Sequence, residues 1–567
     1  MKYSQLVELY ERVSGTTKRL EKTTFLANFL KQVKEEKEIL YLLEGNVFPK
    51  YSDQKIGIST QLAIKALSKA TGVNEKEITQ KWKSLGDLGE VAQELSNKKR
   101  QTTLDNKQLT TQKVITNITG LTSFEGKGTV DKKISLISEL LSQASPVEAK
   151  YLMRTLIGDL RIGIQESTIR DSLSEAFFPD NKDEAKLKIQ QAFEHLNDSA
   201  EVFILTKKGL KNLEAIELQV GKPLKVMLAQ KASTVAEGFE IVGKLAALEY
   251  KYDGFRLLIN KDKQGVISMF TRRLENVTKQ FPDVAKYVST HVQAKTFMID
   301  AEIVGYDPKT KKYLPFQSIS QRIKRKYDIE KMAVEFPIEI NVFDALYVNG
   351  ESLLKTPFEE RSKRVRKIVK SEKFKIVPAK QLITDDEEQA HEFYLQALKE
   401  NQEGVMMKAL DAEYKPGSRV GYMLKIKPEE NDLDLVIVGG EYGTGKRAGW
   451  ISSYILACKD GNEFLTIGRV GTGFKEREDQ QGETGISFEE LTNKLKPYIT
   501  EENGREVKIK PKIIITVTYQ EIQASQSYTS GFALRFPRFR LMRPDKGLND
   551  IATLEEVKSE YKKQSKK

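Results

Sequence analysis

The hydrophobic pattern changes character along this 567-residue chain, and that change most constrains what it can fold into. Over residues 1–215 apolar side chains recur at helical spacing. From about residue 216 the helical period gives way to short β-rich segments at 245–252, 255–260, 266–271, 297–305, 338–347, 404–408 and 421–427. Helical stretches at 359–370 and 385–399 alternate with them. From about residue 429 the chain is again strand-rich, with glycine-containing turns. So long a chain exceeds one hydrophobic core. The expected fold is multidomain: an all-α domain over 1–215, an α+β domain of antiparallel sheets over 216–428, and an all-β barrel over 429–567.

Helix starts are legible in the first region. Ser145-Pro146-Val147-Glu148 combines an N-cap, a proline at the first helical position and a capping-box glutamate, and the helix it opens should run to about Gly158. This helix and the turn after it carry Arg154 and Arg161 beside glycines. Small residues let backbone N–H groups approach phosphates, which suits sequence-independent DNA binding, although a plain helical connection fits the same residues equally well. Lys98-Lys99-Arg100 reads as a solvated basic loop, and the lysine-rich tail from Lys562 to Lys567 as a frayed end.

Composition narrows the partners. Lys and Arg total 92 against 80 Asp and Glu, and this net charge of +12 favours a polyanion, nucleic acid ahead of a membrane surface. A single cysteine, Cys458, excludes an internal disulfide or a cysteine-built zinc site, and its setting between apolar residues reads as a buried strand position. The three histidines are scattered and read as structural. No run approaches 18 apolar residues, and the N-terminus reads as an amphipathic helix, so a soluble intracellular protein is expected.

The chemistry concentrates in the second region. Lys251-Tyr252-Asp253-Gly254-Phe255-Arg256 sets a lysine between two acids, Glu249 and Asp253, with a glycine and an arginine close behind. A lysine amine attacks phosphorus only when neutral, and an unperturbed one is free in roughly one molecule in two thousand at pH 7. Cations or burial around such a nucleophile are therefore expected. Arg256 is a fixed cation for a phosphate or ribose oxygen, and Gly254 permits close backbone approach. Downstream, Arg272 and Arg273 follow a strand, and Asp300-Ala301-Glu302 sets two carboxylates on one strand face. Phe343-Asp344 gives an aromatic platform beside an acid, Glu403 and Lys408 bracket a short strand, and Lys425 and Lys427 share a strand face. Together these supply a nucleophilic amine, cations for a triphosphate, carboxylates for a hard metal ion and a ring to stack a base. Gly440-Glu441-Tyr442-Gly443-Thr444-Gly445-Lys446 imitates the start of a P-loop, but Arg447 replaces the required Ser or Thr and a strand should follow, so a hairpin is expected.

In order, these segments resemble the motifs of the covalent nucleotidyltransferases, and most closely those of ATP-dependent DNA ligases of the archaeal and eukaryotic replicative type. Pro223 to Ala229, Leu152 to Gly158 and Arg535-Phe536-Pro537-Arg538-Phe539 extend the resemblance over essentially the whole chain. It implies a helical DNA-binding domain, an adenylation domain and an OB-fold domain that seal nicks with ATP and Mg²⁺, with Mn²⁺ as a substitute. It implies that Lys251 takes AMP through a phosphoramide bond, that Glu249 reads the adenine amine and that Phe343 stacks on the base. Arg256, Arg272 and Glu302 resemble the ribose and phosphate shell, with Glu302 on the sugar or a metal. Glu403 resembles a metal-site carboxylate, and Arg419, Lys425, Lys427 and Lys408 resemble phosphate contacts. Arg538, Arg543, Asp545 and Lys546 match a C-terminal motif that orients the pyrophosphate leaving group.

One departure stands out. That motif usually reads R-F-P-R-F-x-R-x-R-x-D-K, whereas here Leu541 holds the place of an arginine and Arg540 precedes it. On a regular strand that arginine would face the other way. The implied partners are nicked duplex DNA, bound by a monomer, and a sliding clamp, for which Gln101-Thr102-Thr103-Leu104 is a faint candidate lacking the expected aromatic pair. An mRNA guanylyltransferase shares the K-x-D-G-x-R chemistry but fits neither the long helical region nor the Arg535-to-Arg538 segment. An NAD-dependent ligase would carry a four-cysteine zinc site. A non-catalytic DNA-end-binding module would not need every reactive position filled.

Overall fold

A computed structural model describes the chain except residues 35, 53, 55, 100–107, 125–127, 215, 217, 325–327, 429–430, 477–484 and 565–567. It divides into two compact units, one of residues 1–57, 109–127 and 158–428, the other of 58–108, 128–157 and 429–567. The helical region thus contributes to both.

Helices fill the N-terminal region, as its period requires. In the second unit, helix Thr60–Thr71 starts on Ser59, whose hydroxyl accepts from the Leu62 N–H, and stops at Gly72 in the left-handed region. Helix Pro146–Leu156 opens with the expected capping box between Ser145 and Glu148, and the chain turns at Gly158, φ +71°. The candidate clamp peptide at 101–104 and Arg100 of the basic run lie outside the described residues.

In the first unit, β1 (Leu228–Ala232) and β2 (Ala246–Lys251) begin one sheet. The chain then builds a second sheet from β3 (Phe255–Lys261), β4 (Ile267–Thr271), β5 (Phe297–Tyr306), β6 (Tyr313–Leu314), β7 (Ile338–Val348), β8 (Glu351–Ser352) and β9 (Ile376–Pro378). It returns to the first sheet with β10 (Gln381–Thr384), β11 (Gly404–Ala409) and β12 (Arg419–Ile426), giving the order β1-β12-β11-β2-β10. Antiparallel pairing dominates, as expected, with two exceptions: β1 runs parallel to β12 and β9 parallel to β7.

Period-two alternation decides what each sheet offers. Leu248 and Tyr250 of β2, Val405 and Met407 of β11, and Leu424 and Ile426 of β12 pack with Phe239 and Phe393 from helices Val235–Val242 and Glu387–Lys399. Each such side chain contributes about 1.5–3 kcal/mol by leaving water. The intervening residues, Glu249, Lys251, Lys408 and Lys425, therefore face the opposite way. Leu257 and Ile259 of β3, Ile299 and Ala301 of β5, and Ile340 and Val342 of β7 likewise pack with helices Pro282–His291 and Phe358–Ile368. That leaves Arg256, Asp300 and Glu302 on the other face. Leu258, Met298 and Leu346 of the second sheet join Val420 and Met423 of the first in one cluster, so the faces bearing polar groups turn towards each other.

In the second unit β13 (Asn431–Tyr442), β14 (Ile451–Asp460) and β15 (Glu463–Val470) form a meander. β16 (Ile499–Asn503), β17 (Glu506–Ile509), β18 (Ile514–Tyr519), β19 (Glu521–Ala524), β20 (Phe532–Arg535) and β21 (Arg538–Met542) follow. One edge of β13 pairs first with β18 and then, past Val438, with β17, so the sheet curls into a half-barrel consistent with an OB-fold. The barrel is not purely β: helices Phe488–Leu495 and Leu554–Gln564 pack on its core. The second takes in Lys562 and Lys563 of the tail expected to fray, while residues 565–567 lie outside the described residues. The P-loop imitation is a strand and turn with β14 after it, as expected.

Candidate active site

Lys251 ends β2, and its Nζ lies 2.7 Å from Oε2 of Glu403. Lys427 reaches the same oxygen. The pairing of β2 with β11 fixes this approach, and the Glu403 N–H donates to the Lys251 carbonyl at 2.9 Å. Two carboxylates here titrate in opposite directions. Burial pushes Glu302 up to about 8 despite the nearby charges of Lys251 and Arg256, with Glu403 and Asp300 adding to the rise. Burial would raise Glu403 too, but Lys251 and Lys427 outweigh it and hold that group down to about 2.

Cations gather on one side. The Lys425 ammonium is held below the ordinary lysine range by burial and by the charges of Lys427, Lys251, Arg419 and Arg272. Four sequence-expected phosphate cations, Arg272, Arg419, Lys425 and Lys427, therefore act on one volume together with Lys251. Such crowding of like charge is costly without an anion, which suits a triphosphate.

At the other end lies a buried ion pair. Lys408 Nζ is 2.6 Å from Oε2 of Glu249, and Gln381 Nε2 donates to Oε1 at 2.9 Å. Lys408 was expected among the phosphate contacts; its partner instead places it with Glu249, the carboxylate expected to read the base. The Phe343 ring sits beside it, with Lys408 Nζ and Arg256 Cζ each 5.1 Å from the ring centroid. A β-bulge puts the ring there. Asp300 pairs with Asp344 but Ala301 with Val342, so Phe343 is the extra residue.

Two more readings change in detail. Arg256 is tied into the wall: its Nε lies 2.7 Å from Oδ1 of Asp300, and it donates to the Met227 carbonyl at 2.9 Å and the Tyr414 hydroxyl at 3.1 Å. Asp300, grouped with Glu302 as a metal carboxylate in the sequence, is thus the counter-ion of Arg256. A Cβ on Gly254 would stand 2.3 Å from the Ile303 carbonyl oxygen, so β5 itself is what the glycine admits.

Sequence reasoning missed Tyr414, Gln381 and Arg361. Arg361 is buried in helix Phe358–Ile368 with its Nε 2.8 Å from Oδ1 of Asp344, the neighbour of Phe343. No spacing connects it to Phe343.

The chain matches three family models: "DNA ligase N terminus" over residues 2–174, "ATP dependent DNA ligase domain" over 226–427 and "ATP dependent DNA ligase C terminal region" over 447–546. It is 44% identical to a DNA ligase of Nanoarchaeum equitans, covering 100% of this chain and 99% of that one. A DNA ligase of Thermococcus fumicolans is 41% identical over 99% and 98% of the two chains. The chain belongs to the ATP-dependent DNA ligase family. The solved structure described as Pmar-Lig_PreS3 shares the fold, with a TM-score of 0.58 at 18% identity over 95% of this chain and 99% of that one.

The remaining sequence-expected site residues lie in the second unit or at the turn after helix Pro146–Leu156. Arg543 Nη1 and Lys546 Nζ lie 2.9 and 2.6 Å from Oδ2 of Asp434 on β13, and Arg543 also holds Asp545 at 2.7 Å. These contacts pull the Asp434 and Asp545 carboxyls below the usual range, Asp545 to about 2 through its bond from Arg543. Arg538 is exposed at the start of β21.

The regular-strand expectation at Leu541 fails. Thr516 pairs with Leu541 but Val517 with Phe539, so Arg540 is the inserted residue of a bulge.

Arg154, expected as a DNA contact, is engaged within the protein. It is buried, its Nη2 lies 2.6 Å from Oδ2 of Asp87 and 3.1 Å from Glu90, and its Nε donates to Asp87 at 3.1 Å. Arg161 has φ +58° and bonds Asp159 at 2.7 Å. Among the described residues no helix is long and apolar enough to cross a membrane.

Proposed function

We propose that Lys251 is the nucleophile of this ligase and that the groups around it divide the ATP between them. Lys251 Nζ forms a bond to the α-phosphorus as the bond to pyrophosphate breaks, leaving lysyl-AMP. AMP then passes to a 5′-phosphate at a nick, and the 3′-hydroxyl displaces it to close the strand. One observation carries the assignment: Lys251 is contacted by Glu403 and shares one charged environment with Lys425, Lys427, Arg419, Arg272 and Glu302.

Glu249 and Lys408 meet the base edge in this reading, as acceptor and donor, with Phe343 stacking beneath it. Arg272, Arg419, Lys425 and Lys427 bind phosphates, and Arg256, braced by Asp300, borders the ribose. Glu302 and Glu403 are the carboxylates that would hold Mg²⁺ or Mn²⁺. No group of three or more potential ligands exists among the described residues, which suits an ion that takes its other ligands from phosphate and water. That ion would neutralise charge on the phosphates.

The proposed domains are 1–215 for DNA binding, 216–428 for adenylation and 429–567 for the OB-fold domain, whose Arg538, Arg543, Asp545 and Lys546 orient pyrophosphate. The enzyme acts inside the cell as a monomer on nicked duplex DNA. A sliding clamp is a further partner implied by the family resemblance. Incubation with labelled ATP followed by denaturing electrophoresis tests the central claim. Wild type should carry covalent AMP and Lys251→Ala none, while the variant still seals a pre-adenylylated nick; label on the variant would overturn the assignment.

A further inference from the structure

The departure at Leu541 is where this chain's own residues differ from the pattern it otherwise follows. Phe539 is buried in the barrel core and Met542 packs against the same core. They are three residues apart, an odd separation for two side chains on one face of a strand, because the bulge inserts Arg540. Arg540 and Leu541, lying between them, are both exposed, Leu541 at 42%.

The contacts of Arg540 give its direction. It forms an ion pair with Asp432, and Asp432 stands two residues before Asp434 on the uninterrupted stretch of β13 that pairs with β18. Asp432 and Asp434 thus share a face, the one on which Arg543 and Lys546 dock. Arg540 docks on Asp432 as those two cations dock on Asp434. Its side chain remains 58% exposed, so the ion pair is weak enough for a phosphate to replace.

We infer that Arg540 is a phosphate-binding residue of the C-terminal motif, taking the place of the arginine that Leu541 lacks. The bulge turns it to the side from which Arg543 and Lys546 act. The inference rests on the reading of that motif as the binder of pyrophosphate. In the first step Arg540 would balance charge that grows on the departing pyrophosphate. In sealing it would have no such partner.

Single-turnover rates of the full-length protein test this in two half-reactions, self-adenylylation with ATP and sealing of a pre-adenylylated nick. Arg540→Ala should slow the first at least about tenfold and leave the second within about twofold. Arg540→Ala combined with Leu541→Arg should recover most of the loss, since position 541 is exposed in the same bulge. An Arg540→Ala protein with unchanged self-adenylylation, equal losses in both half-reactions, or a loss that Leu541→Arg does not restore would overturn the inference. Arg543→Ala and Lys546→Ala separate the two levels of failure. If they slow self-adenylylation and Arg540→Ala does not, only the role of Arg540 is wrong; if none does, the motif's assignment to pyrophosphate falls with it.

Discussion

Lys408 and Glu249 form an ion pair 2.6 Å long that is almost sealed from water, beneath the Phe343 and Phe358 rings. Burial pushes the Glu249 carboxyl up while the Lys408 ammonium pulls it back down. A pair so desolvated adds little over an apolar pair of the same shape, but breaking it strands a charge. That cost fits the proposed role, in which the pair offers an acceptor and a donor to the base edge.

Lys408→Met should consequently destabilise the protein by about 3–5 kcal/mol, and Lys408→Met with Glu249→Leu by much less. Urea unfolding of the two single variants and the double gives the coupling. Additive losses would mean the pair is not the closed unit described here. The double variant should fold yet label poorly with ATP.

Glu302 makes a prediction about pH. Its folded-state value lies near 8 because of burial, above the 4.5 of an ordinary glutamate. A raised acid binds its proton more tightly when folded, so this stabilisation is complete below about pH 4.5 and is lost as pH rises through 8. Glutamine keeps the neutral shape. In metal-free buffer the melting temperature of wild type relative to Glu302→Gln should fall by at least about 2 °C between weakly acidic and weakly alkaline pH. A difference that rises with pH would mean that Glu302 is held as an anion by Lys251 and Arg256.

Much of this site was legible from strand alternation. Lys251, Glu249, Glu302 and Lys425 face one volume because period-two order is kept along β2, along β5 and over the Met423–Ile426 end of β12. The helix at Pro146 was legible because its cap is local, a serine and a glutamate three residues apart. What could not be read depends on one inserted residue or one distant partner. The bulges at Phe343 and Arg540 reverse a face without any glycine or proline to mark them. Lys408 changed ends of the site because its partner lies 159 positions away. Arg154 looked like a phosphate ligand beside a glycine, and only packing brings Asp87 against it.

The Arg154–Asp87 pair yields a test of that last point. With both side chains buried, Arg154→Ala should cost about 3–5 kcal/mol, and Asp87→Leu with Arg154→Met should recover most of it. The double variant should bind nicked DNA with an unchanged salt dependence. Loss of one unit or so in the slope of log affinity against log salt would show that Arg154 does contact a phosphate in the complex.

The role of Glu403 can be separated from that of a simple counter-ion. It holds Lys251 and Lys427 at once and is kept ionised to about pH 2, so it is an anion under all working conditions. Glu403→Gln preserves the shape and removes that charge from between two lysines. If Glu403 also helps to hold Mg²⁺, the Mg²⁺ concentration giving half-maximal self-adenylylation should rise at least about tenfold, and Glu403→Asp should lie between the two. If it only neutralises lysines, the rate should fall with no shift in the Mg²⁺ requirement. Titrating Mg²⁺ at saturating ATP distinguishes the outcomes, and an unshifted midpoint would remove Glu403 from the metal site and leave Glu302 as its one protein carboxylate.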